Sequence, residues 1–398
     1  MEKKKMGLLP KLVIGIIAGI VIGLGSAAVD QLILVRLMST FSSIFGNFLK
    51  FMIPCIIIGF VAPGIADLGK DAGKTLAITA GIAYCSAVAA GLVAFLVGSM
   101  VLPGVISMGQ VADGAGANVS PFFTIEMGAI MGVMTALVLA FVLGIGMSAL
   151  QSQKLFGVMK DVQSVMEKTV HYVLIPLIPV HIAGIFAKLS ATGEIFRTIA
   201  AFASVFALII ILQLLYVVVQ YTIAWAISGK APVKAIRNML PAYFTALGTQ
   251  SSAATIAVTL DCVRSNDVSD DIVDFVVPLG ATIHLAGDTI TLVLASMGVM
   301  LLFGQTPTLA LMVPYILMLG ITMVAAPGIP GGGVMAALGL MESMLGFAQP
   351  QQALMIALHF AQDSFGTATN VTGDGAIAII VDSLFGKKAG KAAGKMAS

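Results

Sequence analysis

Residues 353–385 have the sequence ALMIALHFAQDSFGTATNVTGDGAIAIIVDSLF, a long apolar stretch with carboxylates at Asp363 and Asp374. Its length and composition predict a membrane-spanning helix, which needs about 20 mainly apolar residues. Asp363, Thr367, Asn370 and Asp374 recur every three or four positions, so they share one helix face. An ionised carboxylate is costly in hydrocarbon. The face is therefore expected to line a cavity, with hydrogen bonding between helices as the plainer alternative.

The composition of the whole chain agrees with a membrane protein. Of its 398 residues, 59% are hydrophobic and 10% are charged, and the mean hydropathy is +1.04. A soluble domain has about 25% charged residues, so soluble enzymes, nucleic-acid binders and disordered scaffolds are excluded. The 43 glycines favour close helix contacts and broken helices. We therefore predict a polytopic, all-α membrane protein.

Eight stretches are long and apolar enough to span a membrane, namely residues 8–29, 41–65, 76–101, 121–150, 171–188, 195–227, 272–303 and 353–385. Basic residues concentrate near both termini and in alternate loops, which predicts that both termini are cytoplasmic. The basic N-terminus leads into an apolar run without an A-x-A cleavage pattern, so we expect a retained helix and not a signal peptide.

Two further apolar stretches are interrupted near their middle. GTQSSAAT interrupts residues 232–263, and PGIPGGG interrupts residues 309–344. Arg237 and Arg264 flank the first stretch, and both belong on the cytoplasmic side, so a hairpin that enters and leaves on one side fits better than a full crossing. Paired interrupted segments indicate a transporter binding site, while helices kinked by glycine are the alternative.

The last third of the chain has carboxylates in apolar helices without basic residues nearby. There is no Lys or Arg from Ser265 to Gly386, yet this part contains Asp288, Asp363 and Asp374. The counter-charge is then a proton, a metal cation or a cationic group of a substrate.

Oxygen ligands suit a hard cation in this part of the chain. Unwound backbone is expected around Gly280, around residues 327–333 and around Gly373, where it would supply carbonyl oxygens.

Four segments together resemble the glutamate transporter family, the dicarboxylate/amino acid:cation symporters, and within it the bacterial serine/threonine members. They are GTQSSAATIAVT at 248–259, PLGATIHLAGDT at 278–289, PGIPGGG at 327–333 and DSFGTATNVTGD at 363–374. The resemblance implies eight transmembrane helices plus two re-entrant helical hairpins, assembled as a homotrimer in the lipid bilayer of the cell membrane. It also implies a scaffold of residues 1–75 and 111–194, and a transport domain of residues 76–110 and 195–398 that moves as an elevator.

The resemblance also implies residue roles. Asp363 would hold the α-ammonium group of an amino acid substrate, and the second hairpin would act as the gate. The residues implied to bind substrate are Ser251, Ser252, Ile329, Gly333, Asp363, Gly366, Thr367 and Asn370. Those implied to bind the coupling ion, sodium, are Gly280, Thr282, Asn370 and Asp374, and the imidazole of His284 is a further candidate ligand of sodium at a position where the family has asparagine. No organic cofactor and no nucleic-acid partner is expected.

Departures from the family pattern suggest a neutral substrate. Gly366 stands where the members that carry acidic substrates have an arginine, so a side-chain carboxylate has no guanidinium partner. The glycine should leave room for a neutral side chain. We therefore predict a sodium-coupled symporter of a serine- or threonine-like amino acid, with an acidic amino acid or C4-dicarboxylate as the alternative.

Helix seven departs from the family pattern as well. The usual Asn-Met-Asp-Gly-Thr is replaced by His284-Leu285-Ala286-Gly287-Asp288, and no polar partner is expected from the third helix near residues 84–86. His284 is either a core residue or a ligand, and an imidazole also permits proton coupling. An ion channel is the alternative from another class, and an enzyme is disfavoured because no nucleophile motif is present.

Overall fold

The computed structural model describes residues 8–70, 74–109, 119–324, 326 and 330–396. These residues form fourteen α-helices and no β-strand. In chain order the helices are α1 (Leu8–Ala28), α2 (Ile33–Lys70), α3 (Lys74–Val105), α4 (Val133–Leu150), α5 (Gln153–Thr169), α6 (Ile175–Ala191), α7 (Ile195–Ser228), α8 (Pro232–Thr249), α9 (Ser252–Arg264), α10 (Asp270–Ile283), α11 (Ala286–Leu302), α12 (Leu309–Val324), α13 (Gly332–Leu345) and α14 (Gln349–Met396).

Six helical segments among the described residues are long and apolar enough to cross a membrane. They are Pro10–Ala28, Ile33–Ala66, Thr75–Val105, Gln153–Ala191, Ile195–Ser228 and Asp270–Leu302. The fourth of these includes α5 and α6, which are joined by one π-helical turn at Val170–Leu174. The prediction of a polytopic helical protein is thus confirmed.

One predicted helix is wrong at its start. Residues 121–132 are not helical, and α4 begins only at Val133. Side chains of α2 bond to the backbone of this segment, since Thr40 Oγ1 accepts from Phe122 N at 2.9 Å and Asn47 Nδ2 donates to Ile125 O at 2.8 Å. Hydrogen bonds to a neighbouring helix thus replace the internal bonds that a helix would make.

Helices α8 and α9 form an antiparallel hairpin, as the interruption in residues 232–263 predicts. Asn266 Nδ2, after the end of α9, donates to Ala235 O in the first turn of α8 at 3.3 Å. At the other end, Thr249 Oγ1 and Thr255 Oγ1 are 3.0 Å apart. The chain turns at Gln250, which has the left-handed φ of 54°, and Ser251 caps α9 by accepting from Ala254 N.

Two other breaks lie in the same half of the chain. Residues 284–285 separate α10 from α11, and both have extended φ values, −113° at His284 and −119° at Leu285. Helix α12 ends at Val324 and α13 begins at Gly332, and the two helices contact each other. Residues 327–329 of the PGIPGGG segment lie outside the described residues, and its last two glycines begin α13.

The expected unwinding around Gly373 is wrong, because α14 is helical throughout this region. Gly373 instead allows close packing. A Cβ at this position would lie 2.6 Å from His284 Cε1 and 2.7 Å from Gln220 Nε2. The missing side chain lets α7 and the α10–α11 break approach α14.

The helices pack as two groups. In one group, α1, α2 and α4 to α6 contact one another, with α1 against α6 and α2 against α4. In the other, α11 and α14 lie at the centre and contact α3 and α7, while α8, α9 and α10 pack on α14. Every residue of α11 is buried, so this helix positions its polar residues away from lipid.

Candidate functional site

The polar residues of α14 contact the start of α13 and the tip of the α8–α9 hairpin. Gly331, the residue that caps α13, donates its backbone N–H to Asp363 Oδ2 at 2.9 Å. Gln250, at the tip of the α8–α9 hairpin, donates from Nε2 to Ser364 Oγ at 2.9 Å. Both segments that were interrupted in sequence therefore contact α14 through a residue within the interruption. The Asp363 residue at this place is 4% exposed.

Asp288, in the first turn of α11, forms the centre of one buried cluster. Its Oδ1 is 3.0 Å from His359 Nε2, and its Oδ2 accepts from Asn370 Nδ2 at 3.1 Å. Asn370 Oδ1 in turn accepts from Gly287 N at 2.7 Å, so it caps the start of α11. Asp288, His359 and Asp363 each offer one ligand atom, and these atoms lie within 4.8 Å of one another. This is an arrangement that can hold a cation or a cationic group.

His284 and Asp374 form a second buried cluster, with Nδ1 and Oδ1 3.0 Å apart. The other ring nitrogen, Nε2, is 3.0 Å from Ser86 Oγ and 3.3 Å from Gln220 Nε2. An ionised carboxylate only accepts hydrogen bonds, so Nδ1–H donates to Asp374 and Nε2 is left to accept from Ser86 or the Gln220 amide. The expectation that α3 supplies no polar partner near residues 84–86 is therefore wrong.

A chain of amides supports the break between α10 and α11. Gln213 Nε2 donates to Gly287 O at 3.0 Å, and Gln362 Nε2 donates to Gln213 Oε1 at 2.6 Å. Thr291 Oγ1 donates to Gln362 Oε1. Gln213 and Gln220 on α7 were not among the predicted site residues. Their spacing of seven residues in an otherwise apolar helix was the signal, because two helical turns place both on one face.

Gly366 does not open the space expected from the sequence. A Cβ at this position would lie 3.0 Å from Asp288 Oδ1, and a Cβ at Gly333 would lie 3.2 Å from Asp288 Cγ. The carboxylate of Asp288 thus fills the place beside both glycines. The expectation that Gly366 leaves room for a neutral side chain is therefore wrong, because the Asp288 carboxylate occupies that space.

The residues predicted to bind sodium do not come together in one place. Gly280 lies against Asp374, where a Cβ would be 2.7 Å from Oδ1, and its carbonyl accepts from His284 N. Asn370 belongs to the Asp288 cluster. The exposed Thr282 side chain donates to Leu279 O at 2.8 Å and faces neither carboxylate. Gly280, His284 and Asp374 are therefore brought together, and the other two lie apart from them.

Three of the remaining residues predicted to bind substrate lie on α14 or at the tip of the α8–α9 hairpin. Thr367 is buried one turn further along α14, and Ser252 is buried in the first turn of α9. Ser251 stands between Gln250 and α9 as its N-cap. Ile329 lies outside the described residues.

Ion pairs of Lys and Arg among the described residues lie away from the buried carboxylates. Lys50 pairs with Glu342, Lys230 pairs with Asp382, and Arg264 pairs with acids of α9 and α10. Within the described part of the chain, histidine is the only titratable side chain that hydrogen-bonds to Asp288 and Asp374, and Asp363 accepts from the backbone of Gly331. Among the described residues, no Lys or Arg therefore balances the negative charge of these three carboxylates.

Comparison with known proteins identifies relatives. Residues 8–384 match the sodium:dicarboxylate symporter family. Excitatory amino acid transporter 1 of Ambystoma tigrinum is 34% identical over 181 residues, which are 44% of this chain and 31% of that protein. The human protein of the same name is 33% identical over 181 residues, with the same coverage. Excitatory amino acid transporter 5 of Mus musculus is 33% identical over 171 residues, which are 42% of this chain and 28% of that protein.

The family match covers nearly the whole chain, so the chain belongs to the sodium:dicarboxylate symporter family. The matches to the individual relatives are shorter and span less than a third of each relative's length. Members of this family are transporters and not enzymes, in agreement with the sequence prediction.

Proposed function

We propose that this member of the sodium:dicarboxylate symporter family is a sodium-coupled secondary active symporter of a neutral, serine- or threonine-like amino acid. The observation that carries the proposal is Asp363, a buried carboxylate that accepts from the tip residue Gly331 and has no Lys or Arg partner among the described residues. A buried carboxylate of this kind needs a cationic partner. The α-ammonium group of an amino acid would supply it.

The surroundings of Asp363 support a substrate without a second carboxylate. Asp288 and His359 are its titratable neighbours, and no arginine among the described residues reaches the cluster. An acidic side chain would meet the Asp288 carboxylate at close range, where like charges repel. Because the matched relatives are named excitatory amino acid transporters, an acidic amino acid is the alternative substrate to be tested.

Sodium as the coupling ion is supported by the family and by the ligands around Asp374. The family is described as sodium-coupled. The Asp374 carboxylate lies against Gly280, and oxygen donors are what a hard cation prefers. The imidazole of His284 already holds one oxygen of Asp374, so sodium would share this carboxylate with it. Proton coupling through His284 is the alternative within the same family.

The rest of the proposal concerns architecture. We place eight transmembrane helices and two re-entrant hairpins in the cell membrane as a homotrimer, with both termini in the cytoplasm. The group of α1, α2 and α4 to α6 would be the scaffold, and the group around α11 and α14 would move as the elevator. The α12–α13 hairpin would be the gate, because its end rests on Asp363.

Uptake into proteoliposomes tests the proposal. A sodium gradient should drive accumulation of serine or threonine, and Asp363→Asn should reduce it at least about 100-fold, because a charge-assisted contact is replaced by a neutral one. Asp261→Asn is the matched control, since Asp261 is an exposed carboxylate on α9. Uptake of aspartate in preference to neutral amino acids, or uptake driven by a pH gradient without sodium, would contradict the respective parts of the proposal.

A further inference from the structure

We infer that Asp288 determines which side chain the transporter accepts, and that this side chain must donate a hydrogen bond. The inference rests on the proposed function and narrows its substrate class. The cluster of Asp288, His359 and Asp363 carries it, because its ligand atoms lie within 4.8 Å of one another. A substrate whose ammonium group binds Asp363 therefore has its remaining atoms beside Asp288.

Two glycines pack directly against Asp288. Cβ atoms at Gly333 on α13 and Gly366 on α14 would lie 3.2 Å and 3.0 Å from its carboxyl group. Any larger residue at either position would press on this group. The bare backbone of both helices thus holds the carboxylate in place, and a ligand would have to reach it from a side that neither glycine covers.

The hydrogen bonds of Asp288 leave capacity for a further donor. One oxygen contacts His359 Nε2 and the other accepts from Asn370 Nδ2. An ionised carboxylate has about four lone-pair positions, so two partners do not saturate it. Both partners are also fixed, because Asn370 binds Gly287 N through its other amide atom and His359 lies buried in α14. They orient the carboxylate and leave its remaining lone pairs for a ligand.

This arrangement discriminates among side chains. A hydroxyl or an ammonium group would donate to Asp288. An apolar side chain of the same size would cover the carboxylate without replacing its lost hydration, which is unfavourable. A carboxylate would be repelled. Accepted substrates therefore share a small side chain that ends in a hydrogen-bond donor.

Threonine and valine are the probes of choice, because they have the same shape and differ in one hydroxyl group. Binding to purified protein in sodium-containing buffer should favour threonine by about 10- to 100-fold, the discrimination expected when a buried polar group loses its partner. In Asp288→Ala the ratio should fall to within about 3-fold. Asp261→Asn should keep the wild-type ratio, since Asp261 is exposed on α9.

Asp288→Asn separates the two kinds of donor and also covers the case in which the alanine variant does not fold. The amide oxygen still accepts from a hydroxyl, but the charge is gone. Preference for 2,3-diaminopropionate over alanine should then collapse, whereas preference for threonine over valine should fall only partly. A wild-type protein that binds threonine and valine within 2-fold of each other would overturn the inference. So would a folded Asp288→Ala variant with an unchanged ratio.

The two proposals fail in different ways. If no amino acid binds or is taken up in a sodium gradient, the proposed function fails. If neutral amino acids are taken up without regard to a side-chain donor, the proposed function stands and only the role of Asp288 fails.

Discussion

Gly331 holds the start of α13 against α14 in a conformation that suits glycine. Its φ is +74°, in the left-handed region, and a Cβ there would lie 2.1 Å from Phe360 Cζ. Its N–H donates to Asp363. Only a residue without a side chain therefore combines this φ with the close packing against Phe360 and the hydrogen bond to Asp363, the proposed substrate-binding carboxylate.

We predict that Gly331→Ala weakens substrate binding by at least about 10-fold, because the methyl group pushes the segment away from Phe360 and lengthens the bond to Asp363. Substrate titration by isothermal calorimetry measures the effect. Gly346→Ala is the matched control, since Gly346 has a φ of +70° and nothing within 4 Å of its Cβ position. The control should lose about 1 kcal/mol of stability from backbone strain but keep its affinity. Equal affinities in the two variants would contradict this account of Gly331.

On the scale of the secondary-structure elements, α7 supports the break between α10 and α11 through its amide side chains. The carbonyl of Gly287 accepts from Gln213, and Gln213 accepts from Gln362. All three groups are buried, where an unmade hydrogen bond is expensive. The break at residues 284–285 is thus stabilised by α7 as well as by its own sequence.

We predict that Gln213→Ala lowers the free energy of unfolding by about 1–3 kcal/mol, because it leaves a buried Gln362 N–H without its partner and removes one of the donors to the Gly287 carbonyl. Denaturant or thermal unfolding in detergent gives the value. Thr222→Val on the same helix is the control, since this exposed hydroxyl bonds only to Val218 O of its own helix. A Gln213→Ala variant as stable as the control would show that the amide chain does not support the break.

The positions of helix breaks were partly predictable from the sequence. GTQSSAAT and PGIPGGG marked both hairpin breaks, since glycine and proline interrupt helices. The same reasoning failed at Gly373, where glycine allows close packing against His284 and Gln220. A glycine in an apolar helix has either role, and only the neighbouring helices distinguish them.

On the scale of the whole molecule, few polar side-chain contacts among the described residues join α2 of the first group to α13 and α14. Gln349 Nε2 at the start of α14 donates to Asn47 Oδ1 of α2 at 2.6 Å, and Lys50 of α2 pairs with Glu342 of α13 at 2.9 Å. Exposed ion pairs contribute about 0–1 kcal/mol. Contacts of this kind can be broken and remade if one group moves past the other, as the elevator proposal requires.

We predict that a cross-link between Asn47→Cys and Gln349→Cys stops transport but preserves sodium-dependent substrate binding, because it joins the two groups without touching the Asp363 cluster. The background needs Cys55, Cys85 and Cys262 replaced by serine. Uptake and binding are measured before and after reduction, which should restore transport.

The pair Ser269→Cys and Asp382→Cys is the control for this cross-link, because both residues lie in the group around α14 and their side chains are 2.6 Å apart. This link should leave transport intact. If the Asn47–Gln349 link also left transport intact, relative movement of the two groups would be refuted.

The sequence by itself determined the membrane class, the family resemblance and the buried carboxylates of α14. These follow from composition and local spacing, because hydrophobic length and helical periodicity are properties of neighbouring residues. The absence of Lys and Arg between residues 265 and 386 likewise predicted that a cationic partner would have to come from elsewhere.

The tertiary structure decided which polar groups meet. Ser86 of α3 and Gln220 of α7 lie far apart in the chain, yet both meet at Nε2 of His284. The other ring nitrogen of His284 contacts Asp374 of α14. The pairing of Asp288 with His359, and its place beside Gly366, likewise depend on how α11 packs on α14. No local pattern encodes such contacts, because helix packing brings together residues whose separation in sequence carries no information about their distance.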